Sequence, residues 1–340
     1  MRLMQLMAGA RHGGAEAFFE RLAVALPRTG IEQRLAIRRD AQRAERLRAA
    51  GIETLELPFG GFFDFTTSPA LRRATGDFKP QVVLSWMNRA TAFCPRGDFV
   101  HAARLGGYYN LKYYKHCDHL IGNTRGIVDY VRAAGWAEDR VHYLPNFVAD
   151  MRAAPVSRAS LATPDDVPLA LALGRLHPNK GFDVLLAAVA QLPRFHLWLA
   201  GEGPERTALE AQAHKLGIND RVHFLGWRED AAALLAAADL FVCSSRIEPL
   251  GNVVIEAWAA GTPVVAAAAA GPHELIEDGE TGLLTPLENA DALARAMQGL
   301  MDDDALRAHF KAAGRKAFET QFSEVRVVAL YKEFFERVVR

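Results

Sequence analysis

At 340 residues the chain has room for two domains of ordinary size, and its composition, half hydrophobic and a quarter charged, is that of a globular protein. Three widely spaced cysteines, Cys94, Cys117 and Cys243, form no metal-like pair and cannot all cross-link, which points to a reducing, cytoplasmic compartment. The net charge of zero argues against a nucleic-acid partner, yet residues 1–165 hold 23 Lys/Arg against 16 Asp/Glu and residues 166–340 hold 17 against 24.

Short apolar strands alternate with amphipathic helical stretches along the whole chain, the pattern of parallel α/β sheets. In the first half, 2–7, 33–37, 51–57, 82–86, 119–122 and 140–143 read as strands, and 15–26 and 124–134 as helices. The N-terminus has one basic residue and a very short apolar stretch, so it reads as the first strand rather than a signal peptide. Gly13-Gly14-Ala15-Glu16 joins it to the first helix, where glycines let the backbone approach a ligand, although the GxGxxG spacing is absent. The basic run Arg34, Arg38, Arg39, Arg43, Arg46 and Arg48 precedes Phe59, Phe62, Phe63 and Phe65. It reads either as a solvated helix face followed by core aromatics or as a peripheral contact with an anionic membrane. His101 ends a short extended run, 98–100, and a neutral imidazole at a crevice could hydrogen-bond a reacting sugar or an acceptor hydroxyl. A lone histidine is more often structural.

Residues 149–168, rich in Ala, Pro, Ser and Asp, read as the linker between domains 1–155 and 156–322. A second α/β set follows, with strands at 169–173, 195–200, 222–225, 240–243, 263–267 and 282–285, and helices at 181–190, 205–215 and 231–237. The tail, 323–340, places Val327, Leu330, Tyr331, Phe334, Phe335 and Val338 on one helical face. It is expected to cross back onto the first domain. Gly261, Pro263 and Glu256 interrupt the longest apolar region, so no segment reads as membrane-spanning.

Two loops carry the chemistry. Gly174–Gly181, GRLHPNKG, follows a strand, and ligands of open α/β sheets bind at the carboxyl ends of strands. Arg175 and Lys180 there supply two cations able to neutralise a diphosphate, which leaves no cation role for a metal. The second loop, Glu248–Glu256 (EPLGNVVIE), runs from strand to turn to helix. The amides at Gly251, Asn252 and Val253 open that helix without intrahelical partners and form an anion site. Glu256 lies one turn further, about 6 Å along the axis, close to the step from a diphosphate to its ribose. Glu248, outside the helix, is free to face a sugar beyond the phosphates.

With these pieces in order, followed by LAGEGPERTAL, VHFLGW and GPHELIEDGETGLL, the second half resembles the retaining glycosyltransferases of the GT-B fold, family GT4, and more narrowly bacterial lipopolysaccharide-core transferases. The first half is similar more loosely, through GGAE, FVHA, DHLIGNT and YLPNFV. The resemblance implies two Rossmann-like domains facing across a cleft, with the C-terminal helix on the first. It implies a nucleoside-diphosphate hexose as donor and a glycan or glycolipid hydroxyl as acceptor, with front-face attack and no metal or other cofactor. Arg175, Lys180, Gly251, Asn252 and Val253 would hold the diphosphate, with Gly14 approaching it from the first domain. Glu256 would hold the ribose, Glu248 the transferred sugar, and the chain near Leu225–Trp227 the base. His101 would be the active-site histidine, and the enzyme would work at the inner face of the plasma membrane. A sugar-nucleotide epimerase and a non-catalytic nucleotide-sugar sensor are the alternatives; both would bind the donor, and neither would transfer its sugar.

Overall fold

A computed structural model describes residues 1–11, 13–60 and 63–339. The chain forms two compact units, one of Met1–Phe147 with Glu324–Arg340 and one of Val148–Ser323. Residues 148–155, expected in the first domain, thus belong to the second. Val148 bridges to Ser323, and the Val156 amide donates to Ala233 O at 3.2 Å.

The first unit holds a seven-stranded sheet: β1 (Arg2–Met7), β2 (Glu32–Arg38), β3 (Glu53–Leu57), β4 (Val82–Trp86), β5 (Val100–Leu105), β6 (His119–Gly122) and β7 (Val141–Tyr143). Its order is β3-β2-β1-β4-β5-β6-β7, with every pairing parallel. β1, β4 and β5 are buried over nearly their whole length, and burial on both faces makes such strands read as apolar runs. The exception is β5, VHAARL, whose arginine and alanines hide it from an apolar-run reading. The helix Glu324–Val338 buries Val327, Tyr331, Phe334 and Phe335 in the same core as Phe18, Trp86 and Phe147. Its apolar stripe is therefore covered by the first sheet. Arg104, at the end of β5, is 1% exposed and sits 4.7 Å from the ring centres of both Phe18 and Trp86. Its Nε donates to Tyr331 Oη at 2.9 Å, and Nη2 donates to Asn146.

The second unit holds β8 (Leu169–Leu173), β9 (His196–Ala200), β10 (Val222–Gly226), β11 (Leu240–Cys243), β12 (Val264–Ala267) and β13 (Leu283–Thr285). They pair in parallel in the order β10-β9-β8-β11-β12-β13. Chain order runs one way from β8 and the other way from β11. That reversal is a topological switch point, where the loops leaving the two strands diverge and open a crevice at their carboxyl ends. It falls between the two strands whose loops carry the chemistry-bearing motifs.

The basic run is mostly spent on ion pairs within the first unit. Arg34 pairs with Glu53, Arg46 with Glu20 and Arg48 with Glu56. Arg43 is 1% exposed, pairs with Glu20 and donates to the carbonyls of Ala10 and Arg11. Arg38 and Arg39, at the end of β2, remain exposed. Of the aromatic segment, Phe59 is core, Phe63 and Phe65 are 83% and 75% exposed, and Phe62 lies outside the described residues. Among the described residues no helix is long and apolar enough to cross a membrane. All three cysteines are free thiols.

Candidate functional site

The loop after β8 is pinned on both sides. Gly174 N donates to Ala200 O at 3.0 Å and Leu176 N to Glu202 O at 3.0 Å, which ties it to the loop after β9. Gly201, with φ 150°, makes this possible, because a Cβ there would overlap the Gly174 carbonyl. His177 caps the short turn Pro178–Lys180, its Nδ1 accepting from Asn179 N at 3.2 Å. Asn179 O in turn accepts from the amides of Arg246 and Ile247, at 2.8 and 3.1 Å, joining this loop to the one after β11. At Gly181, with φ 62°, a Cβ would overlap Ser244 O, so the two loops pack backbone against backbone.

This framework brings Lys180 to Glu248. Nζ and Oε2 form an ion pair, Ser245 Oγ donates to the same carboxylate at 3.3 Å, and the two side chains are 21% and 13% exposed. The Glu248 backbone is held by Gly271, whose amide donates to Glu248 O at 2.7 Å. Arg246, two residues earlier, is clamped by Asp183, at 2.6 and 2.7 Å, and by Glu288. The clamp drives the Arg246 pKa up and the Asp183 pKa down, through their mutual hydrogen bonds first. Sequence reasoning passed over Arg246; its place two residues before the first glutamate of EPLG was the available signal.

Gly251, with φ 83°, is the N-cap of the helix Asn252–Ala260, and no side chain caps that end. A helix N-terminus of this kind carries the positive end of the backbone dipole. Glu256 lies half-buried one turn along. Arg175 is exposed, directly after Gly174. Leu225 is half-buried in β10, and Trp227 beyond it is 77% exposed. The structure thus gathers Arg175, Lys180, Glu248, Gly251, Asn252, Val253 and Glu256 on the loops and helix that follow β8 and β11. Leu225 follows along β10, on the far side of β9. Chemically, two cations and a helix N-terminus suit a diphosphate, and two carboxylates suit hydroxyl donors. Among the described residues no group of three His, Cys, Asp or Glu could hold a metal.

Gly14 belongs to the first unit, where it opens the helix Gly14–Ala25 just beyond the carboxyl end of β1. Glu16 folds back beneath that turn and accepts from Ala10 N at 2.7 Å.

His101 does not stand where the sequence suggested. It is the second residue of β5, in register with Val83 and, through β4, with Met4. That is the amino-terminal edge of the sheet, whereas Gly14 follows the carboxyl edge. The extended run 98–100 is the entry into a strand that continues to Leu105, not its exit. The imidazole is 7% exposed, its Nε2 lies 2.8 Å from Ser85 Oγ, and burial pushes its pKa down to about 4. The active-site assignment of His101 is withdrawn.

Two family models cover most of the chain: glycosyl transferases group 1 over residues 154–317 and the glycosyl transferase 4-like domain over residues 13–146. The lipopolysaccharide core biosynthesis glycosyltransferase LpsE of Rhizobium meliloti is 38% identical over 331 residues, 94% of this chain and 95% of the relative. LpsD of the same organism is 35% identical, covering 100% and 99%. Among solved structures, a glycosyltransferase from Rickettsia africae superposes with a TM-score of 0.88 at 18% identity, covering 100% of this chain and 98% of the other. Anabaena HepE in complex with UDP superposes with a TM-score of 0.85 at 22% identity, covering 99% and 100%. The architecture of two parallel-sheet units is thus that of GT-B glycosyltransferases.

Proposed function

Because this chain belongs to the group 1 glycosyl transferases, we propose that it moves a hexose from a nucleoside-diphosphate sugar to a hydroxyl of a lipopolysaccharide-core acceptor, with retention at the anomeric carbon. The glycosyltransferase activity follows from the family, and relatives that match nearly end to end support a core acceptor. The donor class rests on one observation: Lys180, Glu248 and an uncapped helix N-terminus are held together at the switch point of the second sheet. HepE, of the same fold, has been crystallised with UDP and with UDP-glucose.

In this reading Arg175, Lys180 and the amides of Gly251, Asn252 and Val253 take the diphosphate, Glu256 the ribose, Glu248 the sugar hydroxyls and the chain at Leu225 the base. The bond from the anomeric carbon to the phosphate oxygen breaks as the acceptor oxygen bonds on the same face. The departing phosphate accepts the acceptor's proton, and the fixed cations stabilise the charge it gains. Neither a metal nor another cofactor enters this scheme. The acceptor being a glycolipid, the reading includes peripheral contact with the anionic inner face of the plasma membrane, through Arg38, Arg39, Phe63 and Phe65.

The decisive experiment incubates the protein with UDP-, GDP- and ADP-hexoses and a truncated core acceptor and reads the anomeric coupling of the product by NMR. The expected product keeps the donor's α-configuration. An inverted product, or no transfer from any donor, overturns the reading. Glu256→Ala is expected to weaken donor binding by one to two decades in calorimetry, since a charged hydrogen bond contributes roughly 1.5–3 kcal/mol and a decade is about 1.4 kcal/mol.

A further inference from the structure

The displaced His101 belongs to a site of its own. Thr91, Arg96, Phe99, His101, Tyr113 and Asp118 are among the residues lining a cavity of about 550 Å³ in the first unit. That volume is within the roughly 300–1,000 Å³ of small-molecule sites. The cavity lies toward the amino-terminal edge of the sheet, where His101 enters β5.

A chain of hydrogen bonds fixes the tautomer of this buried imidazole. Thr91 Oγ1 donates to Met87 O at 2.8 Å, and a threonine hydroxyl has one proton to give. The 2.9 Å contact between Ser85 and Thr91 is therefore donated by Ser85 Oγ. Ser85 Oγ can then only accept across its 2.8 Å contact with His101, so Nε2 carries the proton and Nδ1 the lone pair. Burial holds the ring neutral at physiological pH. No hydrogen bond to Nδ1 exists among the described residues, and Nδ1 is not among their fully buried unpartnered atoms.

The rest of the lining supplies both kinds of partner. Asp118 spends Oδ2 on the His101 amide at 2.8 Å and is otherwise exposed. Arg96 Nη2 approaches His116 Nδ1 at 3.5 Å, and both side chains are exposed. Phe99 and Tyr113 add ring surface. An inorganic anion would meet the Nδ1 lone pair and the Asp118 carboxylate, and a simple ammonium ion would meet the Arg96 guanidinium. A neutral ligand whose hydroxyls both donate and accept satisfies all of them. We propose that this cavity is a second, non-catalytic site for a hydroxyl-rich ligand of mono- or disaccharide size. Its lining residues all belong to the first unit, and none is on the donor loops.

Saturation-transfer NMR of the full chain with methyl α-D-glucopyranoside tests this. Transfer is expected in the wild type. It should fall at least fivefold in Arg96→Ala and in Tyr113→Ala, both at exposed positions and both with an unchanged melting temperature. It should persist in Glu248→Gln. Absence of transfer in the wild type overturns the proposal, as does transfer unaffected by both cavity variants or abolished by Glu248→Gln. Displacement of the glucoside by inorganic phosphate would mark an anion site instead, and would equally overturn it.

Discussion

Lys180 and Glu248 neutralise one another, and the proposed function gives each a different part of the donor. In that proposal, binding exchanges the contact for phosphate on one side and sugar hydroxyls on the other, and the pair holds two oriented charges at little electrostatic cost. Lys180→Met is expected to cost more in kcat/KM than in stability, because Ser245 still hydrogen-bonds the orphaned carboxylate. Parallel kinetics and urea melts would check this, and equal losses in both would contradict it. Gly201→Ala should lower the melting temperature sharply, since the added methyl meets the Gly174 carbonyl with no side chain able to yield. These positions were legible because both loops follow apolar strands and carry glycines at fixed offsets. His101 was misread for a physical reason: in a parallel sheet the entry and exit of a strand look alike over three residues, and only the exit leads into the crevice at the carboxyl ends of the strands.

At the scale of elements, what the sequence disclosed depended on burial. Strands covered on both faces stood out as apolar runs, whereas β5 did not, because Arg104 replaces bulk apolar packing with a guanidinium between two rings. The helix Glu324–Val338 was visible from its stripe, and it packs, as expected, on the first unit. Arg104 ties the two together. Tyr331→Phe removes an acceptor from a buried cation and is expected to destabilise the first unit by about 1.5–3 kcal/mol, the usual worth of a hydrogen bond to a charged group. Chemical denaturation read by fluorescence of the buried Trp86 would measure it. An unchanged midpoint would mean the aromatic contacts alone hold the helix.

Across the whole molecule, five buried or half-buried histidines, His101, His119, His142, His196 and His223, have pKa values lowered first by burial. A depressed folded pKa means the unfolded chain binds more protons between that value and about 6.5, so stability falls as pH drops through this window. For His101, lowered to about 4, the full loss is about 3 kcal/mol. Urea midpoints at pH 7 and pH 5 should differ, and the difference should shrink in His101→Gln. Most of the basic run is engaged in ion pairs within the first unit, while Arg38, Arg39, Phe63 and Phe65 stay exposed, and the proposed bilayer contact rests on those four. Co-sedimentation with vesicles rich in acidic lipid should therefore drop in Phe63→Ser/Phe65→Ser and be indifferent to Arg46→Ala. The interleaving of the two units also has a bearing on biosynthesis. The second is one uninterrupted stretch and can close as soon as it clears the ribosome. The first emerges earlier yet must wait, its aromatic flank bare, until the final helix has been translated; chaperone dependence should fall on the half made first.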